Sequence, residues 1–317
     1  MTEYILTTRS FRDEFIRQAK EIAPEYQFFS KEDITDSFDW QKVVITIGWQ
    51  KEWEEKLLFP NTSLKWIQSI SAGVDTLPLK KLDEYNILLS NASGIHAQSI
   101  TDHLLAVLFM KTRGLFEAIE QQQKKNWHTS ENFCNLEDLR ILIVGTGRIG
   151  QRLAKSLSFF GCHPIGINTN GRKIDYFDET HSLIELAHQT QKADVVINIL
   201  PLTEDTHHLF DEEFFNLMKP SGTFINVGRG ASVDTEAIYQ ALKNQTIAFA
   251  ALDVFEEEPL PEDHPLWDLT NILITPHISG YTPHFQRAFM PIFLENLANF
   301  NEKNTLVRNM VNVKTGY

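Results

Sequence analysis

The sequence predicts an α/β protein of two domains, one a doubly wound parallel sheet and the other a smaller parallel α/β unit. Three observations predict it: a glycine motif that joins a strand-like run to a helix at residues 139–161, apolar runs of strand length alternating with helical patterns on both sides of it, and a length of 317 residues, enough for two cores. The motif reads LRILIVGTGRIGQRLAKSLSFFG. Ile141 through Val144 are consecutively apolar, as in a strand buried on both faces, while Leu153, Ala154, Leu157 and Phe160 recur at helical spacing. Between them Gly145 permits the tight turn, Gly147 lets backbone approach a pyrophosphate, and Gly150 lets helix pack closely on strand, with the helix N-terminus directed at the anion. A purely structural turn would also carry glycines, and it is the strand-to-helix context that favours a nucleotide.

Before the motif, residues 4–7, 43–47, 64–67 and 87–89 read as strands separated by helical patterns. Residues 99–125 read as one long helix with a weak point at Gly114, suited to bridging two domains. After the motif, residues 165–168, 194–200, 223–227, 247–253 and 272–275 each read as a strand, the rhythm of a doubly wound sheet. A final helical stretch at 283–301 has no strand after it and is expected to return to the first domain. The expected division is therefore 1–98 with 283–317, and 99–282.

A net charge of −13 argues against nucleic acid or a membrane surface as partner, since phosphate polyanions need clustered Lys and Arg. Cys134 and Cys162 are the only cysteines, too few for a disulfide framework or a thiolate metal cluster, and no metal is expected. The start, MTEYILTTRSFRDEF, has no leader-length apolar segment, and no run is long and apolar enough to span a bilayer, so a cytoplasmic protein is expected.

Polar residues gather in four segments that follow strands, 198–206, 226–230, 253–259 and 275–280, at the edge where open α/β sheets bind ligands. Arg229 lies between Gly228 and Gly230, so its guanidinium either reaches a carboxylate or keto oxygen in bidentate fashion or makes a surface ion pair. Glu258 ends an acidic run that, taken alone, reads as solvated. His277 follows an apolar strand in TPH and projects beyond a strand end; paired with a carboxylate it has the properties of a general acid and base. Together the three point to carbonyl reduction. A nucleophilic mechanism has less support, because no GxSxG elbow occurs and neither cysteine has an identifiable partner.

The chain resembles the D-isomer-specific 2-hydroxyacid dehydrogenase family in consecutive order from residue 71 to 281. The motifs are SAGVD at 71–75, NASGIHAQSITDH at 91–103, GTGRIG at 145–150, ILPLTEDT at 199–206, INVGRG at 225–230, ALDVFEEEP at 251–259 and ITPHISG at 274–280. The resemblance implies a Rossmann-type doubly wound domain plus a smaller flavodoxin-like α/β substrate domain, and a homodimer built through the long helix. It implies that Arg229 orients and polarises a small 2-oxo acid, that His277 supplies the proton and that Glu258 holds the imidazole. Backbone amides of Ala72, Gly73 and Val74 take the substrate carboxylate in this reading. The resemblance also carries cofactor contacts to Arg148 and Ile149 at the pyrophosphate, Leu200 and Pro201 on the adenine side, Thr206 near the phosphates, and Val227 and Asp253 near the nicotinamide. Asp253 either meets the carboxamide or caps a turn. Trp49, Ile95, His96 and Tyr281 either shape the substrate pocket or serve packing.

One position departs from the NAD-selective pattern: Asn168 stands where an acidic residue usually binds the ribose hydroxyls, followed by Thr169, Arg172 and Lys173. NADP is therefore expected over NAD, with Arg172 and Lys173 available to a 2′-phosphate; the alternative is that Asn168 and Thr169 bond an unphosphorylated ribose. A formate dehydrogenase-like reaction is disfavoured, since that family has Gln where this chain has Glu258. A second class of function, a nucleotide-sensing corepressor-like protein, uses the same fold, but this chain shows no added partner-binding segment.

Overall fold

The computed structural model describes residues 2–129 and 133–315. Two compact units emerge, Met1–Ile95 with Thr282–Tyr317, and His96–Tyr281.

The first unit begins β1 (Glu3–Thr7), α1 (Asp13–Ile22), β2 (Tyr26–Ser30), β3 (Val43–Ile47), α2 (Glu54–Leu57), β4 (Trp66–Gln68), α3 (Leu79–Glu84) and β5 (Leu88–Ser90). Its strands form one parallel sheet in the order β2-β1-β3-β4-β5. Neighbouring residues of β1 face opposite ways, as the pleat requires: Ile5 joins the cluster that includes Phe15 and Ala19 of α1, and Leu6 joins Leu57 of α2 and Leu82 of α3.

The second unit opens with α4 (Ala97–Thr112) and α5 (Leu115–Gln123). The single helix expected here is broken because Gly114 adopts φ +65, a left-handed conformation that stops one helix and starts the next. Then follow β6 (Ile141–Val144), α6 (Arg148–Phe159), β7 (Ile165–Asn168), β8 (Glu179–Ser182), α7 (Leu186–Thr190), β9 (Val195–Asn198), α8 (Glu212–Leu217), β10 (Thr223–Asn226), α9 (Thr235–Lys243), β11 (Phe249–Leu252) and β12 (Ile272–Ile274). All seven strands are parallel, in the order β12-β11-β10-β9-β6-β7-β8. Leu142 and Val144 of β6 pack on the face covered by α8 and α9, and Ile141 and Ile143 on the face covered by α4 and α6. Burial on both faces explains why these strands are apolar throughout.

The chain then returns to the first unit as α10 (Phe285–Lys303). Phe289, Phe293, Leu297 and Phe300 join the cluster around Ile5, and Phe293 stacks on Trp66 with centroids 5.3 Å apart. Phe293 is fully buried, so truncating it to Ala would remove roughly 3–5 kcal/mol.

Candidate functional site

The turn after β6 assigns each glycine a separate task. Gly145 has φ +114, and a Cβ on it would lie 3.2 Å from the Ile199 carbonyl carbon. A Cβ on Gly150 would lie 2.1 Å from the Gly145 carbonyl oxygen, so only glycine lets α6 approach β6 this closely. Around Gly147 nothing lies within 4 Å of such an atom. Gly147 is also the N-cap of α6, and among the described residues no side chain caps that helix end. The turn follows β6, whose neighbours β7 and β9 lie on opposite sides, which makes it the topological switch point of the sheet. The open space and the uncapped helix end fit the pyrophosphate of a dinucleotide.

At the end of β7, Asn168 is buried and its side chain organises the following loop: Nδ2 donates to the Arg172 carbonyl at 2.9 Å, and Oδ1 accepts from the Asn170 N–H at 3.3 Å. Thr169, Arg172 and Lys173 are exposed, and neither cation forms an ion pair among the described residues. Thr206 is likewise occupied within its own loop, its hydroxyl donating to Pro201 O at 2.8 Å and accepting from Thr203 N at 2.8 Å. Leu200 N donates to Asn198 Oδ1 at 3.0 Å, which draws residue 200 towards the strand ends.

Sequence reasoning did not single out the buried amides beneath the next loop. Asn198 Nδ2 donates to Asn226 Oδ1 at 3.0 Å and to Ser232 Oγ at 2.7 Å, joining the ends of β9 and β10. Asn226 Oδ1 also accepts from Gly228 N, while Asn226 Nδ2 and Ser232 Oγ both donate to the Arg229 carbonyl. The Arg229 backbone is thereby fixed, and Val227 beside it is buried. A Cβ on Gly230 would fall 1.8 Å from the Phe255 carbonyl, so the arginine loop lies directly against the loop that carries Glu258.

Within that second loop, Glu258 Oε1 accepts from Phe255 N at 3.0 Å and Oε2 meets His277 Nδ1 at 2.8 Å. The imidazole is 53% exposed, with a carboxylate on one nitrogen. Glu256, two residues earlier, is not merely solvated: it accepts from Thr235 N at 2.9 Å and meets His208 Nε2 at 2.6 Å. Burial opposes its ionisation, but the bonds from Thr235 and His208 outweigh this and hold its carboxyl below the ordinary value. Asp253 is 1% exposed and caps the turn before His277, with Oδ1 accepting from Thr275 Oγ1 at 2.5 Å and Ile278 N at 3.0 Å, and Oδ2 from Ser279 N at 3.0 Å.

In the first unit, the loop at residues 71–74 has its carbonyls engaged by hydrogen-bond donors. Ser71 O accepts from Ala92 N at 3.0 Å, Ala72 O from Asn91 Nδ2 at 2.8 Å, and Gly73 O from Ser71 Oγ at 3.1 Å. The N–H groups of Ala72, Gly73 and Val74 have no acceptor among the described residues. Three successive N–H groups without an acceptor are available to an anion. Trp49 packs edge-on to Trp53 at 6.3 Å and belongs to the core rim, and Ile95 packs against the cluster around Ile5. His96 Nδ1 meets the Gly280 carbonyl at 2.8 Å, whereas Tyr281 is 75% exposed. Among the described residues no group of His, Cys, Asp and Glu is arranged to hold a metal, and no helix is long and apolar enough to cross a membrane.

Residues 105–279 match the family described as D-isomer specific 2-hydroxyacid dehydrogenase, NAD binding domain. The glyoxylate/hydroxypyruvate reductase B of Escherichia fergusonii is 34% identical over 257 residues, which span 79% of this chain and 79% of that protein. Among solved structures, phosphoglycerate dehydrogenase from Lactobacillus plantarum is 40% identical with a TM-score of 0.59, covering 98% of this chain and 100% of that one. A D-isomer specific 2-hydroxyacid dehydrogenase from Xanthobacter autotrophicus, in complex with NADPH and MES, is 25% identical with a TM-score of 0.85, and each chain is covered in full, 100%. The chain belongs to the D-isomer specific 2-hydroxyacid dehydrogenase family and is with it an NAD(P)-dependent oxidoreductase.

Proposed function

We propose that the chain reduces small 2-oxo acids to D-2-hydroxy acids, using NADPH in preference to NADH. The observation that carries the reading is the Glu258–His277 pair at 2.8 Å, solvent-accessible and presented by loops at the ligand-binding edge of a dinucleotide fold. Glu258 accepts a hydrogen bond from the Nδ1–H of His277, which leaves the Nε2–H of the imidazolium as the group that gives a proton to the carbonyl oxygen. Arg229, on a backbone fixed by Asn226 and Ser232, orients the 2-oxo acid and polarises its carbonyl. The amides of Ala72, Gly73 and Val74 hold the substrate carboxylate. A bound dihydronicotinamide supplies the hydride.

Gly145, Gly147, Arg148, Ile149 and Gly150 receive the pyrophosphate in this reading, with Leu200 and Pro201 on the adenine side, Thr206 near the phosphates and Val227 near the nicotinamide. Among the described residues Asp253 Oδ2 accepts from Ser279 alone, which leaves a lone pair for the nicotinamide carboxamide. Support for NADPH comes from exposed Arg172 and Lys173, from the missing carboxylate at Asn168, and from the NADPH complex of the Xanthobacter relative. A homodimer built through α4 and α5 belongs to the same proposal, supported by Leu115 and Ile119 standing 46% and 48% exposed on α5; light scattering measures it.

The test is initial-rate kinetics with NADPH and NADH on a panel of 2-oxo acids. Glyoxylate and hydroxypyruvate head the panel because the Escherichia relative is named for them, and phosphoglycerate is added in the oxidative direction because of the Lactobacillus relative. Turnover that falls by roughly 10²–10⁴ in His277→Ala at unchanged NADPH affinity supports the assignment. Cofactor binding without any turnover overturns it in favour of a nucleotide sensor.

A further inference from the structure

The free N–H of Gly73, the middle one of the three, owes its direction to a side chain outside the loop. Asn91 follows β5, and its Nδ2 donates to the Ala72 carbonyl at 2.8 Å. A trans peptide is planar, with its N–H opposed to its C=O, so drawing the Ala72 carbonyl inward turns the Gly73 N–H outward. Asn91 is itself held on every side. Its Oδ1 accepts from Ser93 N at 3.0 Å, its N–H donates to Asn309 O at 3.0 Å, and its carbonyl accepts from Asn309 Nδ2 at 3.1 Å. The same Asn309 amide reaches Ser93 O at 2.9 Å. Asn309 is in turn secured from α10, where fully buried Asn296 accepts from Val307 N and Arg308 N and donates to Arg308 O. A line of amide hydrogen bonds thus runs from the last helix through Asn309 and Asn91 to the loop.

We propose that Asn91 is the positioning residue of the carboxylate cradle, and that Asn309 in the C-terminal segment keeps it in register. The inference rests on the reading of residues 72–74 as the carboxylate site. Without the Asn91 donor, the Ala72–Gly73 peptide is free to rotate and the Gly73 N–H loses its fixed direction. Binding of every carboxylate ligand weakens, whereas the cofactor, held by the other unit, is unaffected.

The experiment compares the full-length chain with Asn91→Asp, which keeps the shape but removes the donor facing Ala72 O. KM for the best 2-oxo acid and Ki for oxalate are expected to rise tenfold to about a hundredfold, the worth of a hydrogen bond to a charged group, with NADPH Kd within about twofold. Unchanged KM and Ki in a folded variant overturn the inference, even if its melting temperature falls, because a strut alone would lower stability without touching carboxylate affinity. Should Asn91→Asp not fold, Asn309→Ser decides: a threefold or greater rise in KM and Ki at constant NADPH affinity, on the order of a partly loosened bond, supports the proposal, and no rise overturns it. A wild-type chain that binds NADPH but neither turns over 2-oxo acids nor binds oxalate defeats the functional reading itself, a result distinct from a working wild type with an indifferent Asn91 variant.

Discussion

Gly147 and Gly150 offer a paired perturbation that separates the cofactor site from the fold. At Gly147 the backbone has φ −72 and ψ −163, open to any residue, and a new methyl would meet nothing within 4 Å. Alanine is a poorer N-cap than glycine by some tenths to about 1 kcal/mol, while removing a glycine from the unfolded chain returns about 0.4–1 kcal/mol. The cofactor-free protein is therefore expected to keep its stability within about 1 kcal/mol. In the proposed pyrophosphate site, however, the methyl stands where backbone would meet phosphate. Losing one N–H bond to a charged oxygen costs about 1.5–3 kcal/mol, which weakens NADPH binding by roughly 10-fold to 100-fold. At Gly150 the balance is reversed. Its Cβ would be 2.1 Å from the Gly145 carbonyl oxygen, so α6 must move away from β6 at a cost of roughly 1–3 kcal/mol. Gly150→Ala should lose several degrees of melting temperature before any cofactor is added, on the order of 2–4 °C per kcal/mol. Thermal unfolding without cofactor and fluorescence titration with NADPH read the two effects separately. A Gly147→Ala protein that melts like wild type and binds NADPH within twofold would refute the assignment of that turn to the pyrophosphate.

Replacing Arg172 and Lys173 together by Ala is expected to weaken NADPH by about tenfold, the worth of one lost charged hydrogen bond, and to leave NADH within twofold; equal loss for both cofactors would move the selection elsewhere. Acid should destabilise the fold through two partly buried histidines. Burial holds His96 and His103 below the ordinary histidine value, against opposition from the Gly280 carbonyl and the Asp253 charge respectively. The unfolded chain then binds more protons between the two values, so their contribution is intact above the unfolded pKa and falls as pH drops through it towards the folded ones. Melting temperature should decline as the pH falls below about 6.5, the ordinary histidine value, less steeply in His103→Gln; superimposable slopes would exclude this origin.

Much of the fold was legible because it is written locally. Strands buried on both faces carry unbroken apolar runs, as at Ile141–Val144 and Ile165–Asn168, and α6 shows its buried stripe at Leu153, Ala154 and Leu157. Both strands that sequence reasoning passed over lie at a sheet edge. Tyr26–Ser30 and Glu179–Ser182 each pair on one side only and are largely half-exposed, so they need little apolar patterning. The break at Gly114 turns on one dihedral angle that a helical pattern does not display. In the site, the chemistry-bearing types at 229, 258 and 277 stand out in sequence, but what fixes them does not. Asn198 reaches Ser232 across 34 residues, and Asn309 reaches Asn91 across 218. An asparagine in a chain gives no sign of a partner that far away.

His277 shows why such supports belong to the site. Its φ of +53 lies in the left-handed region, which costs a non-glycine residue about 1–2 kcal/mol. A turn serving only to end β12 would be better built with Gly or Asn. The strain is offset locally: His277 N donates to the carbonyls of Asp253 and Thr275 at 2.9 and 3.0 Å, and the Asp253 carboxylate gathers Thr275, Ile278 and Ser279 around it. At about 0.5–1.5 kcal/mol for each net hydrogen bond, this group is sufficient to hold the outlier. A buried carboxylate also needs those donors for its own charge, so the turn and Asp253 stabilise one another. The result is a rigid backbone carrying an exposed ring whose Nδ1 already has Glu258 as partner. Rigidity beneath and exposure above are what a proton donor requires: the ring is held in one orientation before substrate arrives, so little ordering remains to be done in the transition state. In the proposed reaction Asp253 would then support the proton transfer as much as Glu258 does, one acting through the backbone and the other through the ring.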